Sequence, residues 1–272
     1  MKKTGFILTS MLMASLFSCK PVQTGLDVAD PSEKIIFLHH STGRHVWYGD
    51  VKQDKKVRLK EEICMVPRLF NEYNDNHDKR VSIVERNFPS GDPYPWNNYP
   101  FDYYNIWVKN AGSTPYMEEP TLEMLTQEYD IIVFKHCFPV SNIVEDDGNP
   151  DINSEVKTLA NYKLQYNALK EKLKEYPDTK FVVWTGAALL EISTNEGDAK
   201  RADAFFKWVR TEWDEPDDNI SVFDFRSIET DGGIYLEPGF SKDPSWDSHP
   251  NRKVSAIAAK QFVDHLIQLI EN

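Results

Sequence analysis

Three cysteines in 272 residues are too few for a disulfide scaffold, and Cys19, Cys64 and Cys137 form no C-x-x-C metal or redox motif. G-x-x-x-x-G-K-[ST] and G-x-G-x-x-G are both missing, so readings that need a nucleotide lack a phosphate cradle. G-x-S-x-G is missing too, which argues against a lipase-type nucleophile elbow. No basic excess stands against phosphate: 31 Lys and Arg face 43 Asp and Glu, for a net charge of −12. A nucleic-acid partner is therefore disfavoured, because backbone phosphates need a positive patch. No repeat or low-complexity tract interrupts the chain, and its one terminal apolar run, Gly5 to Phe17, is too short to span a bilayer comfortably.

What is present is an ordinary globular composition, 40% hydrophobic and 27% charged, long enough for one sizeable core. Met1-Lys2-Lys3 is a basic start, followed by the apolar run and then Leu16-Phe17-Ser18-Cys19. That layout reads as a secretory signal over residues 1–18. Its Leu-x-Ser-Cys ending resembles a bacterial lipobox, which implies cleavage before Cys19, a lipid on Cys19, and anchoring of an exported protein to the cell envelope. Residues 19–33 contain Pro21, Gly25 and Pro31 and read as a tether. Export leaves Cys64 and Cys137 in an oxidising compartment, where they either pair or stay as buried thiols.

From residue 34 to 272 the chain reads as one domain of alternating strands and helices. Five short runs are β-branched or aromatic and nearly continuous: Ile35–Leu38, Val81–Val84, Ile131–Phe134, Phe181–Trp184 and Ile220–Phe223. Strands buried on both faces of a parallel sheet have this composition. Between and after them lie helical periodicities. One starts at Val156 and runs to Leu173, one runs from Ala202 to Trp213, and one from Val254 to Ile270. The order predicts an α/β fold with a doubly wound, five-stranded parallel sheet.

Ligands of such sheets bind beyond the carboxyl ends of the strands. His39-His40-Ser41-Thr42-Gly43 follow the first run; Asn87, Ser90 and Gly91 follow the second; Lys135, His136, Cys137, Ser141 and Asn142 follow the third. Asp247-Ser248-His249-Pro250-Asn251 precede the last helix. A serine becomes nucleophilic when a base takes its proton, and the base needs a carboxylate to fix its tautomer. Ser41, His249 and Asp247 supply that set from opposite ends of the chain, with Asp243 as the alternative carboxylate.

The strand-Ser-x-Gly segment Ile36–Gly43, the block Phe134–Pro139 and the His249-Pro250-Asn251 ending resemble the SGNH (GDSL-type) hydrolase superfamily, including SGNH-like bacterial lipoproteins. The resemblance spans about residues 34–270 by motif order. It implies a three-layer α/β/α, flavodoxin-like fold and esterase, lipase, carbohydrate deacetylase or acyltransferase chemistry without a cofactor. It implies Ser41 as nucleophile, His249 as base, and an oxyanion hole of the Ser41 N–H, Gly91 and an Asn, for which Asn142 is the candidate. Lys135, His136 and Ser141 are possible replacements for that amide. The chain departs from the family pattern in carrying Trp246, not Asp, three residues before His249, and His40 before the serine.

Between Asn87 and Tyr116 stand nine aromatic residues, Trp96 and Trp107 among them, broken by Pro89, Pro93, Pro95 and Pro100. Residues 87–118 therefore read as an aromatic-rich loop insertion that forms a flat platform for sugar rings, a satellite core, or both. His39, His40 and His45 invite a metal reading, but adjacent strand residues face opposite ways and no further ligands accompany them. The expected role of His40 is at the edge of a site, beside Trp96, Trp107, Lys135 and His136 as substrate-binding residues. The expectation from the whole chain is an envelope-anchored esterase acting on an acylated carbohydrate or other small ester. Its alternatives are a non-catalytic glycan-binding protein on the same fold and a polysaccharide O-acyltransferase.

Overall fold

The computed structural model describes residues 24–52, 63–95 and 97–272. The expected signal, Cys19 and Trp96 lie outside them. All five apolar runs are strands: β2 (Glu33–His39), β3 (Val81–Asn87), β4 (Ile131–Lys135), β5 (Lys180–Trp184) and β6 (Ile220–Phe223). They run parallel in the order β3-β2-β4-β5-β6. This is the flavodoxin-like order, in which the chain starts in mid-sheet and winds outward both ways. The sheet has six strands, not the expected five. β1 (Thr24–Leu26), inside the segment read as a tether, pairs antiparallel with β3 as an edge strand.

Strand alternation divides the interior. Ile35 and Phe37 of β2 join Val133, Trp184 and Phe223 on one face. Against them pack α1 (Ser41–Tyr48), α2 (Met65–His77), α7 (Phe225–Thr230) and α8 (Arg252–Glu271). Ile36 and Leu38 point the other way, to α3 (Pro100–Tyr104), α4 (Leu122–Leu125), α5 (Leu159–Lys174) and α6 (Glu196–Trp208). The result is three layers, α/β/α, as expected of residues with period-2 side-chain direction in strands buried on both faces.

Helix starts follow capping chemistry. Thr158 accepts from the Asn161 N–H, so α5 begins at Leu159 and Val156 stays outside it, exposed. Asn251 accepts from the Val254 N–H and opens α8 in the same way.

The aromatic segment is corrected by the structure. Pro100 occupies the first turn of α3, which continues as π-helical Asn105–Lys109. Phe88, Tyr94, Tyr99, Phe101, Tyr103, Tyr104 and Trp107 are buried in the core on that side of the sheet. Trp107 is fully buried, with Nε1 donating to the Pro120 carbonyl, and cannot form part of a binding platform. No disulfide joins Cys64 to Cys137; both are buried thiols. Among the described residues no helix is long and apolar enough to cross a membrane.

Two short strands were not foreseen. β7 (Ser241–Asp243) and β8 (Asp247–Pro250) form an antiparallel hairpin just before α8.

Candidate active site

One residue separates β2 from α1. His40 is extended, and the helix begins at Ser41, which is exposed. The turn is tight: the Gly43 N–H donates to the His40 carbonyl at 2.8 Å. A Cβ at Gly43 would stand 2.6 Å from the His39 side chain, so only glycine lets α1 lie this close to the strand end. Ser41 therefore sits at the first position of a helix, beyond the carboxyl edge of the sheet. First-turn N–H groups have no intrahelical acceptor, and the helix dipole adds partial positive charge there.

The hairpin carries Asp247 and His249. Residues two apart on a strand share a face, so the Asp-x-His spacing of β8 puts Asp247 and His249 side by side. Asp247 Oδ1 accepts from the His249 backbone N–H at 3.0 Å and lies 2.6 Å from its Nδ1. Asp243 is engaged elsewhere, accepting from the Ser245 N–H and hydroxyl and from Trp246 Nε1. Burial raises the Asp247 carboxyl, but the two His249 donors and nearby Lys242 outweigh it and hold the group below its ordinary value. A carboxylate on Nδ1 fixes that nitrogen as the proton carrier. It leaves Nε2 as the basic atom, and Nε2 has no hydrogen-bond partner.

Two rings hold the imidazole in place. The His45 ring lies 4.9 Å from that of His249 at 32°, and the Phe138 ring lies 4.9 Å away edge-on at 71°. His45 is one helical turn beyond Ser41. Burial, with His249 and Lys242 next, lowers the His45 pKa to about 4, so a neutral ring lies beside His249. Phe138 follows Cys137, whose Sγ lies 2.9 Å from Ser41 Oγ. The Ser41 hydroxyl is bonded to Cys137, not to His249.

The other sequence-predicted residues scatter. His40 is buried, its Nε2 2.5 Å from the Pro89 carbonyl, and burial lowers its pKa to about 4. Lys135 is buried beneath α1 and donates to the Thr42 hydroxyl and, at 2.7 Å, to the His136 carbonyl. His136 is equally buried, with Nε2 2.6 Å from the Tyr166 hydroxyl. Lys135 and His136 thus have no surface to offer a substrate, and they support the site from below. Gly91 has φ +104°, a conformation glycine tolerates, but its N–H faces the Glu119 carboxylate, which also takes the Ser90 N–H and hydroxyl at 2.5 Å. Asn142 is exposed and ends the 3₁₀ turn Phe138–Ser141.

The three histidines near β2 go to three places. His39 Nε2 lies 2.6 Å from Glu85, His40 turns to Pro89 and His45 to His249. Among the described residues no group of three His, Cys, Asp or Glu side chains is placed to hold a metal ion.

Sequence reasoning passed over Cys137, Phe138 and His45 as site residues, although Cys137 and Phe138 follow β4 directly on the ligand edge. It also passed over Trp246, whose ring is 69% exposed on the hairpin that carries the Asp–His pair. Burial patterning draws attention away from such a residue, because an isolated exposed aromatic has no periodicity.

No family model and no curated protein matches the sequence. Solved structures resemble it at low identity. A family two carbohydrate esterase from Cellvibrio japonicus is 18% identical over 89% of this chain and 62% of that one, with a TM-score of 0.45. A family two carbohydrate esterase from Clostridium thermocellum in complex with cellohexaose is 12% identical over 90% of this chain and 67% of its own, with a TM-score of 0.45. A possible lipase from Chitinophaga pinensis is 13% identical over 87% of this chain and 98% of its own, with a TM-score of 0.43. The chain spans less than two thirds of the length of the Cellvibrio esterase.

Proposed function

We propose that this protein is an exported serine ester hydrolase of the SGNH type that removes acyl groups from a carbohydrate, with Cys19 as its lipid anchor. The observation that carries the hydrolase reading is the Asp247–His249 pair, 2.6 Å apart at Nδ1, with Nε2 unpartnered. That is the state a general base needs before it takes a hydroxyl proton. Ser41 supports it as the exposed nucleophile at a helix start, tied to the same place through Cys137, Phe138 and His45.

In the proposed reaction the Ser41 hydroxyl first turns from Cys137 to His249. Its oxygen then attacks the ester carbonyl while Nε2 takes its proton. The carbonyl π electrons move onto oxygen, where the Ser41 N–H meets them and the Asn142 amide is the remaining candidate donor. Collapse re-forms the carbonyl and breaks the bond to the sugar oxygen, which leaves with the proton from His249. Water attacks the acyl-serine, giving its proton to His249, and the second collapse frees the acid and returns that proton to Ser41. Asp247 stays ionised and stabilises the imidazolium. The sugar part of the reading rests on Trp246, an exposed ring on the hairpin that carries Asp247 and His249, with Nε1 held 3.0 Å from Asp243.

The test is hydrolysis of a chromogenic acetyl ester together with fluorophosphonate labelling. Wild type should hydrolyse the ester and take one adduct at Ser41, and Ser41→Ala should lose at least about 10³-fold in kcat. Equal hydrolysis by both proteins would sink the reading. A second reading, a glycan-binding protein that kept the fold without the chemistry, is favoured by the Ser41–Cys137 contact, since the nucleophile rests away from its base. It expects glycan binding that survives Ser41→Ala and no adduct on folded wild type. The anchor is tested by Cys19→Ala, which should move the protein from the membrane fraction to the soluble one.

A further inference from the structure

One dipeptide touches both groups that the hydrolase reading needs. Cys137 Sγ is 2.9 Å from Ser41 Oγ, and the next residue, Phe138, packs its ring 4.9 Å from the His249 imidazole at 71°. The pair is fixed at both ends. The Cys137 N–H donates to the Asn98 carbonyl at 3.2 Å, and Asn98 is itself fully buried. Downstream, the Val140 N–H donates to the Cys137 carbonyl at 3.1 Å, and the Ser141 hydroxyl donates to the Ala187 carbonyl. Cys137 is 5% exposed and caps the short turn that Phe138 begins. This one anchored segment thus contacts both Ser41 and His249.

The chemistry of the two contacts differs. Sulfur is a weak donor and a weak acceptor, so a serine resting on it is located without being trapped. The Phe138 ring, packed at 71° to the imidazole, restrains its rotation about the His249 Cβ–Cγ bond. We propose that Cys137-Phe138 is the positioning element of this site: the thiol holds the Ser41 hydroxyl at rest, and the ring fixes the plane in which Nε2 meets that hydroxyl once it turns from the thiol to His249. Neither side chain exchanges a proton or a bond with the substrate. The inference rests on the hydrolase reading and adds to it the residues that set the Ser41–His249 relation.

The experiment measures ester hydrolysis and the rate of fluorophosphonate addition in wild type, Cys137→Ala, Cys137→Ser, Phe138→Leu and Phe138→Tyr, with thermal melts alongside. A misplacement of about 1 Å costs up to about 10²-fold, so Cys137→Ala and Phe138→Leu should each lower kcat about ten-fold with KM within about two-fold. Cys137→Ser keeps a hydrogen-bonding partner and Phe138→Tyr keeps the aromatic ring. Both should recover to within about three-fold of wild type. Melting alone would not produce this split between kcat and KM or the rescue. If Cys137→Ala does not fold, the two Phe138 variants and Cys137→Ser decide. Wild-type kcat and labelling in Phe138→Leu, or no rescue by the conservative pair, overturns the inference while leaving the hydrolase intact. Absence of both adduct and hydrolysis in wild type overturns the hydrolase reading, and this inference with it.

Discussion

Asp247 Oδ1 meets His249 twice, at the backbone N–H and at ring Nδ1, from two residues away on one short strand. The double contact fixes both the position and the tautomer of the imidazole. Asp247→Asn should therefore keep the hairpin but present the wrong partner to Nδ1, lowering kcat by up to about 10⁴-fold with a smaller change in KM. Asp243→Asn should leave kcat within about three-fold, because Asp243 serves Trp246 and Ser245 and makes no hydrogen bond to the base. Steady-state kinetics on a chromogenic ester checks both. Equal losses in the two variants would assign the wrong carboxylate to the dyad.

The sheet was legible because its strands are buried on both faces, and such strands show as continuous β-branched runs. The placement of Ser41 at the ligand edge was legible because it follows the first such strand, and that of His249 because it precedes the last helical periodicity. β1 was missed: Thr24–Leu26 is an edge strand with only one neighbour, and its half-buried residues show no apolar run. The β7–β8 hairpin was missed for a similar reason, since Ser241–Asp243 and Asp247–Pro250 are polar and held by main-chain pairing. With the hairpin unseen, Asp-x-His looked like a defective spacing, whereas on a strand it places both side chains on one face. The aromatic segment was legible in part, because packing of its rings in a core was one of the two readings open to it. Its prolines signalled a loop, but Pro100 starts a helix, and the rings turn inward to the core.

His45 gives the fold a measurable pH response. Its folded pKa is about 4, below the ordinary histidine value near 6.5. Between these values the unfolded chain binds a proton that the folded chain refuses, so this contribution is full above about pH 6.5 and is lost as pH falls toward 4. Glu229 and Asp102, raised by burial to about 7 and about 6, act with the opposite sign in an overlapping range. The difference between wild type and a variant isolates the histidine. His45→Phe should gain stability relative to wild type as pH falls from 6.5 to 4, by at most about 1.4 kcal/mol per pH unit. Urea unfolding at several pH values reads it, and a pH-independent difference would refute it.

Glu119 ties the segment after β3 to the core. Its carboxylate takes the Ser90 N–H and hydroxyl and pairs with Arg86 at 3.6 Å, and Glu119 and Arg86 are both buried. Glu119→Ala would leave the Arg86 charge and two or more polar hydrogens without this acceptor. The expected cost is about 3–5 kcal/mol, the range for one partner removed from a buried pair. A denaturant midpoint lowered at unchanged slope would show it as stability lost from the native state. A variant as stable as wild type would mean that water replaces the carboxylate.

Substitution of Trp246 tests recognition apart from chemistry. The Trp246 indole is exposed, its Nε1 is held by Asp243, and His249 is three residues on. A ring fixed in this way offers a flat face at little cost in side-chain entropy, which suits the apolar face of a sugar. Removing it takes away stacking without touching Ser41, His249 or Asp247. Trp246→Ala should raise KM for an acetylated oligosaccharide roughly ten-fold with kcat within about two-fold, a loss of uniform binding. The same variant should hydrolyse a small chromogenic acetyl ester with the wild-type kcat/KM, since that substrate has no sugar face to stack. Equal losses on both substrates would make Trp246 a support of the hairpin instead, and the carbohydrate part of the proposed function would then have no side chain to carry it.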